Sequence, residues 1–178
     1  MTIEELLYVI ADKFQETHRY GIGRTRLLKL AYLADVFYKR LTKERLTDAS
    51  WVFWHYGPYV AEYPKILASP AFIVEDKGEF ENILPAVGRD MPKLTNEEEI
   101  SILRALRLAD EDFNELLDFV YFDTEPMMNA DQRGETLDFD CVKPEEEYKV
   151  TRYAISKDAQ KRIKARLQVL KSQGKIEH

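Results

Sequence analysis

One stretch limits the fold more than any other: RLLKLAYLADVFYKRL, residues 26–41, is apolar on most sides of a helix. Leu27, Leu30, Ala31, Ala34 and Phe37 recur at helical spacing and form one face, and Leu28 and Leu33 widen it. Only a narrow stripe of Lys29, Tyr32, Asp35 and Lys39 is polar. A helix that is apolar nearly all round has to be covered by other elements, which makes this the central one. The chain has 178 residues, 45% of them hydrophobic, enough for one core in a single domain spanning 1–178.

The remaining elements are read as the cover of that helix. Thr2 with Glu5 is a capping-box pattern, and Leu6, Leu7, Ile10, Ala11 and Phe14 predict a helix over 3–18, ended by Gly21 and Gly23. Thr25 is expected to cap the central helix. Trp51–Tyr56 has the aromatic and β-branched content of a strand, broken by Gly57-Pro58. A short helix then runs to Ala68; Pro64 places its start near Glu62 or Tyr63. AFIVEDKGEFENIL reads as a hairpin turning at Gly78. A second capping box, Thr95 with Glu98, opens a helix in which Ile100, Leu103 and Leu106 follow at helical spacing. A shorter helix carries Phe113, Leu116, Leu117 and Val120, and a further turn has Thr124 as cap and Pro126 in its first residues. Asp131–Lys143 looks irregular, and YKVTRYAI reads as a short extended piece. Ser156 caps a last basic helix over about 156–173, with Ile163, Leu167 and Leu170 inward. The fold class is therefore mainly α, or α+β: a compact helical domain with a central apolar helix and a small β-hairpin.

Charge and cysteine content narrow the function classes. The net charge is −6, which argues against a general nucleic-acid coat, since phosphate contacts need clustered Lys and Arg. Lys149–Lys175 carries nine Lys or Arg against one acid, Asp158, opposite an acidic middle, a pattern that reads as intramolecular pairing. The single cysteine, Cys141, excludes an internal disulfide and a Cys-rich zinc site, and is read as a small buried hydrophobe. No apolar run is long enough to span a bilayer, and the acidic, amphipathic start MTIEELLYVIADKF is unlike a signal peptide, so a cytoplasmic protein with no membrane partner is expected.

Catalytic constellations are weak. His18, His55 and His178 have no metal-ligand spacing, and there is no phosphate loop or nucleophile elbow. No cofactor, no metal and no enzyme activity is expected. Asp138 and Asp140 alternate about Phe139 and with Glu125 are the residues a metal-dependent hydrolase would use; a loop that tucks Leu137 and Phe139 into the core explains them better. In DTEPMMNADQRG, Glu125 stands at a helix start and Arg133 has the geometry to clasp a carboxylate, beside the adaptable Met127 and Met128.

WVFWHYGPYVAEYPKIL, residues 51–67, gathers two Trp, His55 and three Tyr around one Gly-Pro step. The aromatics either fill a core around the central helix, with His55 half-buried, or make a partner surface in which Tyr56, Tyr59 and Tyr63 join the stripe of Lys29, Tyr32 and Asp35. Local physics leaves both open.

The order of these pieces adds a further reading. Leu27, Leu28, Lys29, Leu30, Tyr32, Leu33, Ala34 and Asp35, then the strand, then Tyr56, Gly57 and Pro58, then Tyr63, together resemble the signature of the Panacea domain family over roughly residues 24–68. Tyr59 stands where a Val is more usual. The resemblance implies an antitoxin-like protein-interaction module of toxin–antitoxin systems, or of phages and mobile elements, which neutralises a toxin encoded by an adjacent gene through direct contact. The partner-binding residues expected on this reading are Lys29, Tyr32, Asp35, Tyr56, Gly57, Pro58, Tyr59 and Tyr63, to which the local chemistry of DTEPMMNADQRG adds Thr124, Glu125 and Arg133. Self-association is left open. The alternative is a winged-helix DNA-binding regulator, with residues 72–84 as the wing; nucleic acid is the disfavoured partner because Glu75, Asp76, Glu79 and Glu81 face a single Lys77 there. A metal-dependent hydrolase is third.

Overall fold

A computed structural model describes residues 1–148; the extended piece beyond Tyr148 and the basic helix expected over 156–173 lie outside the described residues. The order is α1 (Ile3–His18), β1 (Ile22–Gly23), α2 (Arg24–Thr42), β2 (Val52–Trp54), β3 (Gly57–Tyr59), α3 (Tyr63–Leu67), β4 (Phe72–Asp76), β5 (Glu81–Pro85), α4 (Asn96–Leu106), α5 (Phe113–Phe122) and α6 (Glu125–Asn129). The class is α+β, as expected, with small antiparallel sheets.

α2 is the central helix. Every residue from Leu27 to Phe37 is buried, and α1, α4 and α5 pack around it. The covering is tightest at α4, where the inward residues are Ser101, Ile102 and Ala105, while Ile100 and Leu103 are exposed. Two small residues let the α4 backbone approach α2, Leu106 packs against the core from one edge, and Ile100 and Leu103 turn outward.

Both capping boxes form. Thr2 Oγ1 accepts from Glu5 N and Thr95 Oγ1 from Glu98 N, each 3.2 Å, with the glutamate returning a bond to the cap. The helix ends differ from expectation. Arg19 (φ 64°), not a glycine, takes the left-handed cap of α1, and Lys43 (φ 68°) does so for α2. α2 begins at Arg24 with Gly23 as cap, so Thr25 is already inside it.

β4 and β5 form the expected hairpin with Gly78 at φ 85°, and β1 adds a third strand on β5, in the order β1-β5-β4. β1 is two residues long and has no pattern of its own. Gly57-Pro58 does not simply end the strand before it; it opens β3, which pairs back on β2 as Val52↔Tyr59, Phe53↔Pro58 and Trp54↔Gly57. The segment after α6 lies along β2: Phe53 N donates to Glu135 O and Leu137 N to Trp51 O, both 2.8 Å. This pairing buries Leu137 and Phe139, the loop reading of those residues.

α1 is clipped to the α4–α5 connection through His18. Its Nε2 lies 2.6 Å from Asp110 Oδ1 and its Nδ1 3.0 Å from Phe14 O, so both nitrogens face acceptors. Burial works against the charged ring, but the Asp110 bond, the Phe14 carbonyl and the Asp110 charge together outweigh it and raise the pKa above its ordinary 6.5. A raised histidine pKa stabilises the fold fully below the unfolded value and stops doing so as pH rises through the folded one. The thermal midpoint gap between the native chain and His18→Gln is therefore expected to be widest below pH 6.5 and to close on the alkaline side, which a pH series of melting curves reads directly.

Candidate functional site

The polar stripe of α2 faces inward. Asp35, fully buried, gathers six donors: Arg45 Nε and Nη2 at 3.0 and 2.8 Å, Leu46 N at 3.0 Å, Thr47 Oγ1 at 2.7 Å, Trp51 Nε1 at 2.9 Å and, more distantly, Thr47 N at 3.5 Å. It ties the whole connection from α2 to β2 onto the helix. Arg45 lies over the Phe139 ring, 3.8 Å from its centre.

One turn earlier, Tyr32 is also fully buried. Thr124 Oγ1 donates to Val120 O at 2.6 Å, so the Tyr32 hydroxyl donates to Thr124, 2.8 Å away. Thr124 thus closes α5 and does not cap α6, whose first turn receives no side-chain bond. Beside it, Arg40 Nη2 bonds Glu125 Oε2 at 2.8 Å and Asp123 O at 2.6 Å, and its guanidinium lies 3.6 Å from the Tyr148 ring centre. Arg40 and Glu125 are both buried, so their pair has to be satisfied internally. The expectation of a binding role for Tyr32, Asp35, Thr124 and Glu125 as surface residues is therefore corrected: each is buried and bonded within the fold. Arg40 escaped sequence reasoning: beside Lys39 and four residues before Glu44, nothing local marks it as buried.

The other expected residues do converge. Between the start of α2, the β2–β3 hairpin and α3 lies a pocket of about 320 Å³, lined by Lys29, Tyr56, Gly57, Tyr59 and Tyr63 together with Arg24, Thr25, Leu28, Trp54 and His55. The hairpin tip is its rim: Trp54 and Tyr56 are 43% and 51% exposed. His55 is exposed as well, not half-buried, with its ring edge-on to Trp54. Tyr63 is a buried wall residue, its hydroxyl donating to Arg24 O at 2.6 Å. Pro58 and Gly57 are buried. Gly57 adopts φ 89°, and a Cβ there would meet the Tyr121 hydroxyl at 3.2 Å, so both conformation and space call for glycine. That Tyr121 hydroxyl is buried and has no hydrogen-bond partner among the described residues.

Lys29 lies at the inner end of this pocket, 2% exposed, with its ammonium donating to Pro58 O at 2.9 Å. Burial alone pushes its pKa down to about 7. Arg24 at the rim is held by Glu81 at 2.6 Å. Arg133 lies elsewhere, half-buried in the loop after α6 and close enough for its charge to act on Tyr121.

The family model described as antitoxin SocA-like, Panacea domain, matches residues 27–132, more than half of the chain. The chain belongs to this family. No curated protein and no solved structure matches it. The Panacea domain extends well past the signature at 24–68: it takes in the β4–β5 hairpin, α4, α5 and α6, and ends just before Arg133.

The carboxylates considered for a metal are engaged in other ways in the Panacea domain and its loop. Glu125 is on Arg40, Asp138 Oδ1 accepts from Asp140 N at 2.8 Å, and Asp140 lies 3.5 Å from Lys39. No group of three His, Cys, Asp or Glu that could hold a metal exists among the described residues. Cys141 is half-buried, its thiol donating to Asp138 O, and is not part of the core. No described helix is long and apolar enough to cross a membrane.

Proposed function

We propose that this Panacea chain is a non-enzymatic antitoxin that neutralises a toxin by direct contact, using the β2–β3 hairpin tip and the pocket behind it. The observation that carries the reading is the exposure of Trp54 and Tyr56 at the mouth of a pocket that also takes in Leu28, Lys29, Gly57 and Tyr63, residues through which the chain resembles the Panacea signature. Large aromatics at a rim are costly to leave in water and are enriched where partners bind. The net charge of −6 suits a basic toxin. The order of helix, loop, helix, short helix and hairpin behind the DNA-binding alternative is present, with the β2–β3 pair inserted before the short helix, but the only lysine of the β4–β5 hairpin is paired with Glu75 at 2.9 Å, among further acids. Such a wing repels phosphate, so DNA is the weaker reading.

Co-expression with the product of each adjacent gene tests this. One neighbour is expected to arrest growth alone, to be harmless in the presence of this chain, and to co-purify with it. A Trp54→Ala/Tyr56→Ala chain is expected to keep its melting temperature and lose both rescue and co-purification. A toxic neighbour that this double variant still neutralises would move the contact to another face, and the absence of any toxic neighbour would overturn the antitoxin reading.

A further inference from the structure

The position of Lys29 has no sufficient structural reason. A buried ammonium has three protons to place, and among the described residues Lys29 places one, on the Pro58 carbonyl, with no carboxylate paired to it. Taking a charge out of water is repaid only when further bonds and an opposite charge meet it; otherwise an apolar side chain of similar length serves the core better. The other buried charges of the fold do meet partners: Asp35 has Arg45, and Arg40 has Glu125. Lys29 differs in that it lines a pocket. The neighbouring cation, Arg24, is already neutralised by Glu81. The pocket walls are mainly aromatic or aliphatic, so an anion entering it would find one centre of positive charge.

We propose that the pocket receives a carboxylate side chain, Asp or Glu, of the partner polypeptide, with Lys29 as its buried counter-ion and Trp54 and Tyr56 closing over the apolar residues beside it. This rests on the reading of the chain as a protein binder. About 320 Å³ is at the small end for ligand pockets, room for roughly one or two side chains. The exposed aromatic rim supplies the apolar contact that a free small acid would lack. The other titratable groups around the pocket are His55, Tyr56, Tyr59, Tyr63 and the Arg24–Glu81 pair. An arriving carboxylate completes the bonds that Lys29 lacks and holds it protonated.

The test uses the full chain and blocked peptides free of tryptophan, N-acetyl-Leu-Glu-Leu-amide and its Gln counterpart, followed by Trp54 fluorescence. Lysine carbon NMR reports the ionisation of Lys29. The Glu peptide is expected to bind about 10- to 100-fold more tightly than the Gln peptide, as a charge-assisted bond in a dry site implies. The Lys29 titration is expected to move to higher pH when the Glu peptide saturates the site. Lys29→Met, with its fold checked by circular dichroism, is expected to abolish the preference. Equal binding of the two peptides, or a Lys29 titration unmoved by saturating peptide, overturns the proposal without recourse to any variant. Glutarate binding as tightly as the Glu peptide overturns the polypeptide assignment. A toxin that co-purifies equally with native chain and Lys29→Met removes the pocket's role and leaves the antitoxin reading standing. A Glu-selective, Lys29-dependent pocket in a chain without a toxic neighbour supports the site and removes the antitoxin reading.

Discussion

Asp35→Asn is expected to lower stability by about 3–5 kcal/mol, the range for breaking a buried ion pair by removing one charge. The carboxylate, itself fully buried, accepts from Nε and Nη2 of Arg45, from Leu46 N, from Thr47 Oγ1 and from Trp51 Nε1. An amide has one oxygen to offer and turns an NH2 toward groups that are themselves donors. The loss is concentrated in the connection from α2 to β2, so the Trp51 environment should change with it. Urea denaturation followed by tryptophan emission measures both effects at once. Arg45→Met should cost less, because Arg45 is 30% exposed and its removal leaves Asp35 with three of its partners. A stable Asp35→Asn chain that had lost only its partner would restore the surface role that burial denies to Asp35.

What could be read in advance followed from local rules. The near-complete apolar surface of residues 26–41 announced a covered helix, and the capping boxes at Thr2 and Thr95 placed two helix starts within a residue. What could not be read was long-range. Helical periodicity sends polar residues to solvent, and it did so for Lys29, Tyr32 and Asp35. Their partners lie far along the chain: Pro58 is 29 residues from Lys29, Trp51 is 16 from Asp35, and Thr124 is 92 from Tyr32. No pattern within α2 could signal those bonds. Of that stripe, Lys29 lines the pocket behind the β2–β3 hairpin. β1 and the inward face of α4 were hidden for a related reason. A two-residue strand has no period, and Ser101 and Ala105 face inward because α2 comes close, not because they are apolar.

Tyr32→Ala is expected to cost about 3–5 kcal/mol, as truncation of a large core aromatic does, and to lower partner binding only through loss of the fold. The ring meets Trp51 and Phe139 edge to face, at 5.4 and 5.9 Å between centres, so truncation opens a cavity between the α2–β2 connection and the loop that follows α6. Tyr32→Phe separates the two contributions of this side chain. It keeps the ring and removes only a donor to Thr124, whose own proton already rests on Val120 O, so its cost should stay near 1 kcal/mol. Tyr63→Ala should behave like Tyr32→Ala, since Tyr63 is 2% exposed. Trp54→Ala and Tyr56→Ala should cost far less stability, because about half of each residue is already in water. Thermal melts of these single variants, beside the co-purification assay, divide the aromatic stretch 51–63 into its two roles. Trp51 and Tyr63 are buried in the fold, and Trp54 and Tyr56, two residues apart on the same hairpin, are exposed and are the pair proposed to face the partner. If Tyr32→Ala instead melted with the native chain, the central helix could not be packed as described, and the pocket that depends on its first turn would lose its basis too.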